Sequence, residues 1–177
     1  MIRAAISILA CWMGCLAPLP AGAGERAGGR AVASARLPVV EGSAGYAGFL
    51  DESLVDHGVI GGAARWYVTD RVSVGPELVY MVGPGRDRDL IATANLQLDL
   101  VRAGGGAVQP YALVGAGFFR HTDGFGQVTF SSVEGAVTGG GGVRLAITPR
   151  LTIAPELRLG WEPHLRVGVT VGYRPGR

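Results

Sequence analysis

Apolar and polar residues alternate one by one through most of the chain, from about residue 39 onward. The clearest example is HLRVGVTVGY at 164–173, in which every second residue from Leu165 to Tyr173 is apolar. The stretches VSVGPELVYMV, LIATANLQLDL and LTIAPELRLGW show the same period of two. Strict alternation over about ten residues indicates a β-strand with two chemically different faces.

This pattern predicts eight strands, and their lengths suit tilted membrane-spanning strands of roughly 9–11 residues. An even number of such strands is typical of a closed barrel. Past the N-terminus there is no apolar run long enough for a transmembrane helix. We therefore predict an all-β fold, an eight-stranded antiparallel up-and-down transmembrane β-barrel. The predicted strands lie near 39–50, 57–68, 72–83, 89–101, 109–120, 134–147, 151–161 and 165–174.

The connections between the predicted strands are of two kinds, and one hairpin occurs twice. RWYVTDRVSVGPEL at 65–78 parallels RLAITPRLTIAPEL at 144–157, and both contain a tight turn, TDR or TPR. In contrast, GPGRDRD at 83–89 and HTDGFGQVTFSSVEG at 121–135 are polar and rich in glycine. Tight turns at one rim and longer loops at the other are typical of bacterial outer-membrane barrels.

The charged residues of the repeated hairpin lie on its polar face. If the residues on either side of each tight turn pair, Arg65 and Glu77 are diagonal neighbours, and so are Arg144 and Glu156. Diagonal positions are about 7–8 Å apart, within reach of long side chains. We therefore predict that these residues form ion pairs inside the barrel, where an unpaired charge would be costly.

Glycine opposite a long charged side chain leaves room for it inside a narrow barrel. In the last hairpin, pairing of Trp161 with Leu165 would place Arg158 opposite Gly168. The same face of the last strand carries Arg166. The predicted ion-pair network of the lumen comprises Arg65, Glu77, Arg144, Glu156, Arg158 and Arg166.

Two prolines interrupt strands at matching places, in VGPEL and IAPEL. Pro76 and Pro155 fall on the apolar face, so they are expected to point toward lipid. Because proline has no N–H to donate to a neighbouring strand, we predict a local defect in the strand ladder at both.

Aromatic residues near the ends of the predicted strands suggest the two girdles that form where a barrel meets the lipid headgroups. The alternative is that they belong to the core of a soluble barrel. The predicted girdle residues are Trp66, Tyr111 and Tyr173 near the tight turns, and Tyr80, Phe119 and Trp161 near the loops.

The segments DRVSVGPELVY, QPYALVGAGFF, GGGVRLAITPRLTIAPELRLGW and HLRVGVTVGY resemble the small OmpA-type outer-membrane β-barrel superfamily. The resemblance covers roughly residues 39–174. It implies a barrel in the outer membrane of a Gram-negative bacterium, in contact with outer-membrane lipid and inserted by the barrel-assembly machinery. Members of this superfamily mostly end at an aromatic residue, whereas here four residues follow Tyr173.

The N-terminus has the features of a secretory signal peptide. Arg3 precedes an apolar core, and small residues follow, which predicts a signal peptide at 1–23. Residues 24–38 lack periodicity and are expected to be a flexible segment, and 39–177 the barrel. Because the only two cysteines, Cys11 and Cys15, lie in the signal sequence, the mature chain would lack disulfides and thiolate sites.

The composition offers little support for other chemistry. A net charge of +2 in 177 residues does not indicate nucleic-acid binding. The glycine runs lack the Lys-Ser/Thr of a phosphate loop, so we expect no cofactor. His57, His121 and His164 have no metal-binding spacing, so we expect no metal site and attribute them to solvated rims.

A lipid hydrolase at the outer rim is a further candidate, less favoured because no His-x-Ser occurs as it does in lipid A deacylase barrels. Its active site would be drawn from His121, Asp123, Ser131, Ser132 and Glu134.

The leading hypothesis is therefore a monomeric, non-enzymatic outer-membrane barrel with a structural, envelope or surface-interaction role. A narrow pore or transporter for ions or small solutes is the main alternative, although side chains fill the interior of most eight-stranded barrels. A soluble secreted barrel would need the opposite orientation, with the apolar face inside.

Overall fold

The computed structural model of the chain describes residues 37–50, 55–101, 106–125 and 128–175. Each strand pairs antiparallel with its neighbours in sequence, and β1 also pairs with β8, which closes the sheet into a barrel. The predicted eight-stranded antiparallel barrel is therefore confirmed. The strands are β1 Val39–Phe49, β2 Val55–Tyr67, β3 Val72–Val82, β4 Arg88–Asp99, β5 Val108–Phe125, β6 Val128–Ala146, β7 Leu151–Gly160 and β8 His164–Tyr173.

The predicted signal peptide at 1–23, and all but the last two residues of the predicted segment at 24–38, lie outside the described residues. Among the residues that are described, no helix has the length and apolar character needed to cross a membrane.

The two tight turns have the same geometry, which supports the repeat seen in the sequence. The Thr69 hydroxyl accepts hydrogen bonds from the backbone N–H groups two and three residues further on, at 3.2 and 2.9 Å. The Thr148 hydroxyl does the same at 3.2 and 3.0 Å. In each turn a threonine side chain thus replaces part of the hydrogen bonding that the backbone loses at the turn.

Both prolines interrupt the ladder on the side of the preceding strand, as predicted. The pairing of β2 with β3 omits Gly75 and Pro76, and the pairing of β6 with β7 omits Ala154 and Pro155. On either side of each gap the register is unchanged, so neither site contains a bulge. The missing proline N–H opens the ladder locally while the strands stay in phase.

The stretch at 121–135, predicted as a loop, is instead part of a long hairpin. β5 has 18 residues and β6 has 19, and they pair up to Phe125 and Val128. β6 pairs with β7 only from Thr138 onward, so the hairpin tip extends beyond its neighbour. The β-branched and aromatic residues of VTFSSV favour continuation of the strand outward from the barrel.

The predicted register of the last hairpin is wrong. Gly160 pairs with His164, and Arg158 lies opposite Arg166 rather than Gly168. The turn has three residues, with Glu162 at a φ of 50°. A β-carbon on Gly160 would collide with the His164 ring, so the glycine provides the space that permits this pairing. The inward and outward faces of both strands are nevertheless as predicted.

Four of the six predicted girdle residues lie on the outer surface of the barrel. Trp66 and Tyr173 lie near the tight turns with 42% and 47% of their surface exposed, and Tyr80 and Trp161 lie near the loops with 39% and 56%. Their positions fit two aromatic belts.

The other two predicted girdle residues, Tyr111 and Phe119, face the lumen instead and are 5% and 1% exposed. The sequence of β5 has apolar or small residues on both faces, so it did not determine which residues point inward. In the pair Phe118–Phe119 the first ring faces outward and is 60% exposed, while the second packs inside. The Tyr111 hydroxyl donates a hydrogen bond to Glu156, a partner available only in the interior.

Candidate functional site

The interior of the barrel is divided into layers of different chemistry, and one strand shows them in order. Beginning at the tight-turn end, the inward side chains of β4 change from charged and amide groups to an aliphatic one and then to a second carboxylate. From the tight-turn end to the loop end, these residues are Asp99, Gln97, Asn95, Thr93, Ile91 and Asp89. Because strands of a barrel lie side by side, the same order recurs on the neighbouring strands as distinct zones.

The zone nearest the tight turns, the turn-end network, joins two arginines through a tyrosine and two carboxylates. Arg65 donates to Glu41 Oε1 at 3.2 Å from Nε and at 2.6 Å from Nη2, and it donates to the Tyr67 hydroxyl at 2.9 Å. Tyr67 donates in turn to Asp99 at 2.7 Å, and Arg144 donates to the other oxygen of Asp99 at 3.2 Å. Asp99 is completely buried, so these contacts compensate for its loss of water.

The next zone, the central network, is built around Glu77 and Arg158. Arg158 bonds to both Glu77 and Glu156, and its distance to Glu156 is 2.5 Å. Arg166 donates to the other oxygen of Glu77 at 3.1 Å, and Tyr111 donates to Glu156 at 2.6 Å. Asn95 also donates to Glu77, at 2.7 Å. Each carboxylate thus has several donors, as a buried charge requires.

All six predicted network residues therefore lie in the lumen, but the predicted pairs are wrong. Arg65 pairs with Glu41 and not with Glu77, and Arg144 pairs with Asp99 and not with Glu156. The prediction considered only the two strands of each hairpin, whereas Arg65 has its diagonal partner on its other neighbour, β1. Inside a closed barrel the long side chains also reach strands that are distant in sequence, such as β3 from β7 and β8.

Beyond the central network the lumen becomes apolar. A cluster of buried side chains, here called the apolar plug, lies above it on the same strands, toward the loops. Phe119 and Met81 are 1% and 0% exposed. The plug comprises Ala47, Phe49, Val59, Val79, Met81, Ile91, Phe119 and Ala136. Its aliphatic and aromatic groups offer an ion no replacement for the water of its hydration shell.

Two histidines and two aspartates lie beyond the plug at the loop end and form the loop-end cluster. His57 Nε2 is 2.8 Å from Asp87 Oδ2 and 3.3 Å from Asp89 Oδ2. His121 Nδ1 is 2.7 Å from Asp89 Oδ1 and 3.6 Å from Asp87 Oδ1. His57 and Asp89 are buried, whereas the side chains of Asp87 and His121 are 17% and 40% exposed.

The aromatic rings of the plug support this cluster from below. The Phe49 ring meets the His57 ring edge-on at a centroid distance of 4.9 Å, and Phe119 stacks with His121 at 6.4 Å. The two imidazoles therefore pack against apolar rings, and their nitrogens face the carboxylates.

Sequence reasoning did not identify the loop-end cluster, because each histidine was considered alone. His57 lies near the start of β2, Asp89 near the start of β4, and His121 toward the end of β5. In an antiparallel barrel these three positions share one rim, so the predicted topology could have brought them together. Asp87 belongs to the GPGRDRD connection at that same rim.

The cavities of the barrel differ sharply along its length. At the tight-turn end a cavity of about 230 Å³ is lined by Arg65, Arg144, Arg150 and Arg174 among others. Deeper in, near the central network, the cavities are about 10, 20 and 10 Å³. Cavities of that size hold about one water molecule each. Among these cavities of the described residues, the one at the turn end is thus more than ten times larger than those near the central network.

No protein-family model matches the chain, and no curated protein matches it. Solved structures, in contrast, do resemble it. Neisserial surface protein A is 12% identical with a TM-score of 0.70, covering 78% of this chain and 97% of the other. The N-terminal β-barrel domain of Pseudomonas aeruginosa OprF is 16% identical with a TM-score of 0.60, covering 78% and 98%.

The attachment invasion locus protein Ail of Yersinia pestis is 15% identical with a TM-score of 0.51, covering 78% of this chain and 97% of the other. Like the other two, it is a small barrel of the outer membrane. The fold of the chain is therefore that of the small, eight-stranded OmpA-type outer-membrane β-barrels.

Proposed function

We propose that the chain is an integral outer-membrane β-barrel with a non-enzymatic role in the envelope or in interactions at the cell surface, and with a lumen filled by side chains. It would be exported by its signal peptide, inserted by the barrel-assembly machinery, and surrounded by outer-membrane lipid as a monomer. The observation that carries this proposal is the contrast between an apolar outer surface and an ionic interior.

The outer surface carries large apolar side chains around the whole circumference. Every strand contributes at least one that is about half exposed or more, and in water such a continuous surface would be unfavourable. One example from each strand is Tyr46, Ile60, Leu78, Leu96, Val114, Val137, Leu157 and Val167. Inside the barrel, the buried Arg158 pairs with Glu77, and the buried Asp99 pairs with Arg144. A soluble barrel would have the reverse arrangement.

A narrow pore remains the alternative function. The cavity of about 230 Å³ at the tight-turn end favours a pore. The apolar plug and the very small cavities near the central network oppose ion flow. Purified protein in planar bilayers should be silent under the leading proposal. Stable unitary conductance would instead favour the pore.

The lipid-hydrolase hypothesis receives little support from the hairpin. His121 Nδ1 is bonded to Asp89, while the Ser131 hydroxyl accepts a hydrogen bond from Arg120 at 3.2 Å. A hydrolase needs a nucleophile within reach of its base. Lipid A from cells that overproduce the chain should therefore be unmodified.

Gel mobility before and after boiling tests the location of the barrel in a membrane. The chain refolded in detergent should migrate as a fast band that becomes slow on boiling, and it should not give this band in plain buffer. A soluble, monodisperse β-rich protein in buffer without detergent would contradict the proposal.

A further inference from the structure

We propose that the loop-end cluster is a binding site for a divalent transition-metal ion, with Zn²⁺ the best match, whose ligands are His57, Asp87 and Asp89, with His121 as the fourth after a rotation of its side chain. The argument rests on the geometry of the donor atoms, on buried carboxylate oxygens without partners, and on a glycine that makes space for the site.

Three of the four donor groups are already gathered around one point, and His121 lies just outside them. One ligand atom each from His57, Asp87 and Asp89 lies within 4.8 Å of the others. Four ligands held at about 2.0–2.2 Å around a tetrahedral zinc are about 3.3–3.6 Å from one another. The His57–Asp89 and His121–Asp87 distances, 3.3 and 3.6 Å, fall in that range.

Each carboxylate uses its other oxygen for a hydrogen bond, 2.8 Å from His57 Nε2 to Asp87 Oδ2 and 2.7 Å from His121 Nδ1 to Asp89 Oδ1. Metal binding would replace these two hydrogen bonds by bonds from the metal to the two nitrogens. The His121 side chain would rotate toward the other three ligands to complete the set.

Two carboxylate oxygens in the cluster are buried without a hydrogen-bond partner in the described structure, Asp87 Oδ1 and Asp89 Oδ2. The Asp89 side chain is only 1% exposed, and its neighbours within the cluster include a second carboxylate. Burying a carboxylate without full compensation is costly. A divalent cation would satisfy both oxygens and cancel the two negative charges.

Gly83 provides the space for this arrangement. A β-carbon at this position would collide with His57 Nε2 and would lie 2.5 Å from Asp87 Oδ2. The glycine thus permits two ligands from different strands and loops to meet. An alanine here would displace donor atoms while leaving every donor in the chain.

The choice of metal follows from the ligand types. Two imidazole nitrogens with two carboxylate oxygens suit Zn²⁺ and its neighbours in the first transition series, whereas Mg²⁺ and Ca²⁺ prefer oxygen alone. The partial exposure of His121 and Asp87 provides an entry path from the loop end.

The site is tested by titrating Zn²⁺ into the refolded barrel in detergent, followed by calorimetry, and by the visible spectrum with Co²⁺ as a substitute. We expect one ion per barrel and the strong absorption of four-coordinate Co²⁺. Asp87→Asn and His121→Ala remove partly exposed ligands and should weaken binding by at least about tenfold. Both variants should still give the heat-sensitive band that reports a folded barrel.

Gly83→Ala sharpens the test because it retains all four ligands. It should also weaken Zn²⁺ binding, whereas Gly135→Ala, at a glycine with open space around it, should not. Asp123→Asn removes an exposed carboxylate from the β5–β6 hairpin at the same end of the barrel and serves as the matched control for Asp87→Asn. The proposal fails if the folded wild-type barrel binds no Zn²⁺, or if Asp87→Asn and Gly83→Ala bind it as tightly as the wild type does.

Discussion

The hairpins β2–β3 and β6–β7 share a sequence pattern, and a comparison of them separates what is decided locally from what is decided by the closed barrel. Their turns are alike, since Thr69 and Thr148 accept the same pair of backbone hydrogen bonds. Both have a proline that interrupts the ladder without shifting the register. At this level the second hairpin repeats the first.

Inside the lumen the two hairpins differ. Arg65 pairs with Glu41 on β1, whereas Arg144 pairs with Asp99 on β4. Glu77 binds two arginines, while Glu156 binds one arginine and the hydroxyl of Tyr111. The geometry of a turn depends on neighbours in sequence. The partner of an inward-facing charged residue depends on which strands of the closed barrel lie within reach of its side chain.

Removal of Arg158 should have the largest effect, because this one residue serves the glutamates of both hairpins. Arg158→Met leaves Glu77 and Glu156 short of a partner in the interior, and we expect a loss of about 3–5 kcal/mol in the free energy of unfolding. Urea titration of the refolded barrel measures it. Arg71→Met, at an exposed turn, is the control and should change stability by less than about 0.5 kcal/mol. Equal effects for the two substitutions would show that the central network contributes little.

Neutralising the glutamates one at a time should distinguish the two hairpins. Glu77→Gln weakens two arginine pairs and should cost about 3 kcal/mol. Glu156→Gln keeps an acceptor for Tyr111 and weakens one arginine pair, so about 1.5 kcal/mol is expected. Urea midpoints measured side by side test the order. If Glu156→Gln were the more damaging, the assignment of Glu77 as the centre of the network would be wrong.

The turns should respond alike. Thr69→Ala and Thr148→Ala each remove a hydroxyl acceptor at an exposed turn, and we expect about 1 kcal/mol for each. Because the turns are far apart, the double variant should lose the sum to within about 0.5 kcal/mol. A large difference between the two single variants would mean that the turns are not equivalent.

The prolines should give the smallest effect. Pro76→Ala and Pro155→Ala restore an N–H where the ladder is open but also release the fixed backbone angle of proline, and these contributions oppose each other. We expect changes within about 0.5 kcal/mol, similar at both sites. Amide hydrogen exchange at the new alanine would report whether the ladder closes. A loss of several kcal/mol at either site would show that the gap is required for the fold.

The barrel and its faces could be predicted from the sequence because they depend on alternation, which is local. The partners of charged residues across the lumen could not be predicted. Nor could the register of the last hairpin, where the absence of a side chain at Gly160 leaves space for the His164 ring. The facing of Tyr111 and Phe119 was ambiguous because β5 has apolar or small residues at nearly every position between them. The loop-end cluster required the histidines and aspartates of separate strands to be considered as one rim.

The closure of the barrel also determines when its ion pairs can form during folding. Glu77 is separated by 81 residues from Arg158 and by 89 from Arg166. Contacts so distant in sequence form late, after slow searches by the chain. Interactions that are absent from the transition state hardly affect the rate of folding but slow unfolding. We therefore expect the central network to lengthen the lifetime of the finished barrel rather than to hasten its assembly.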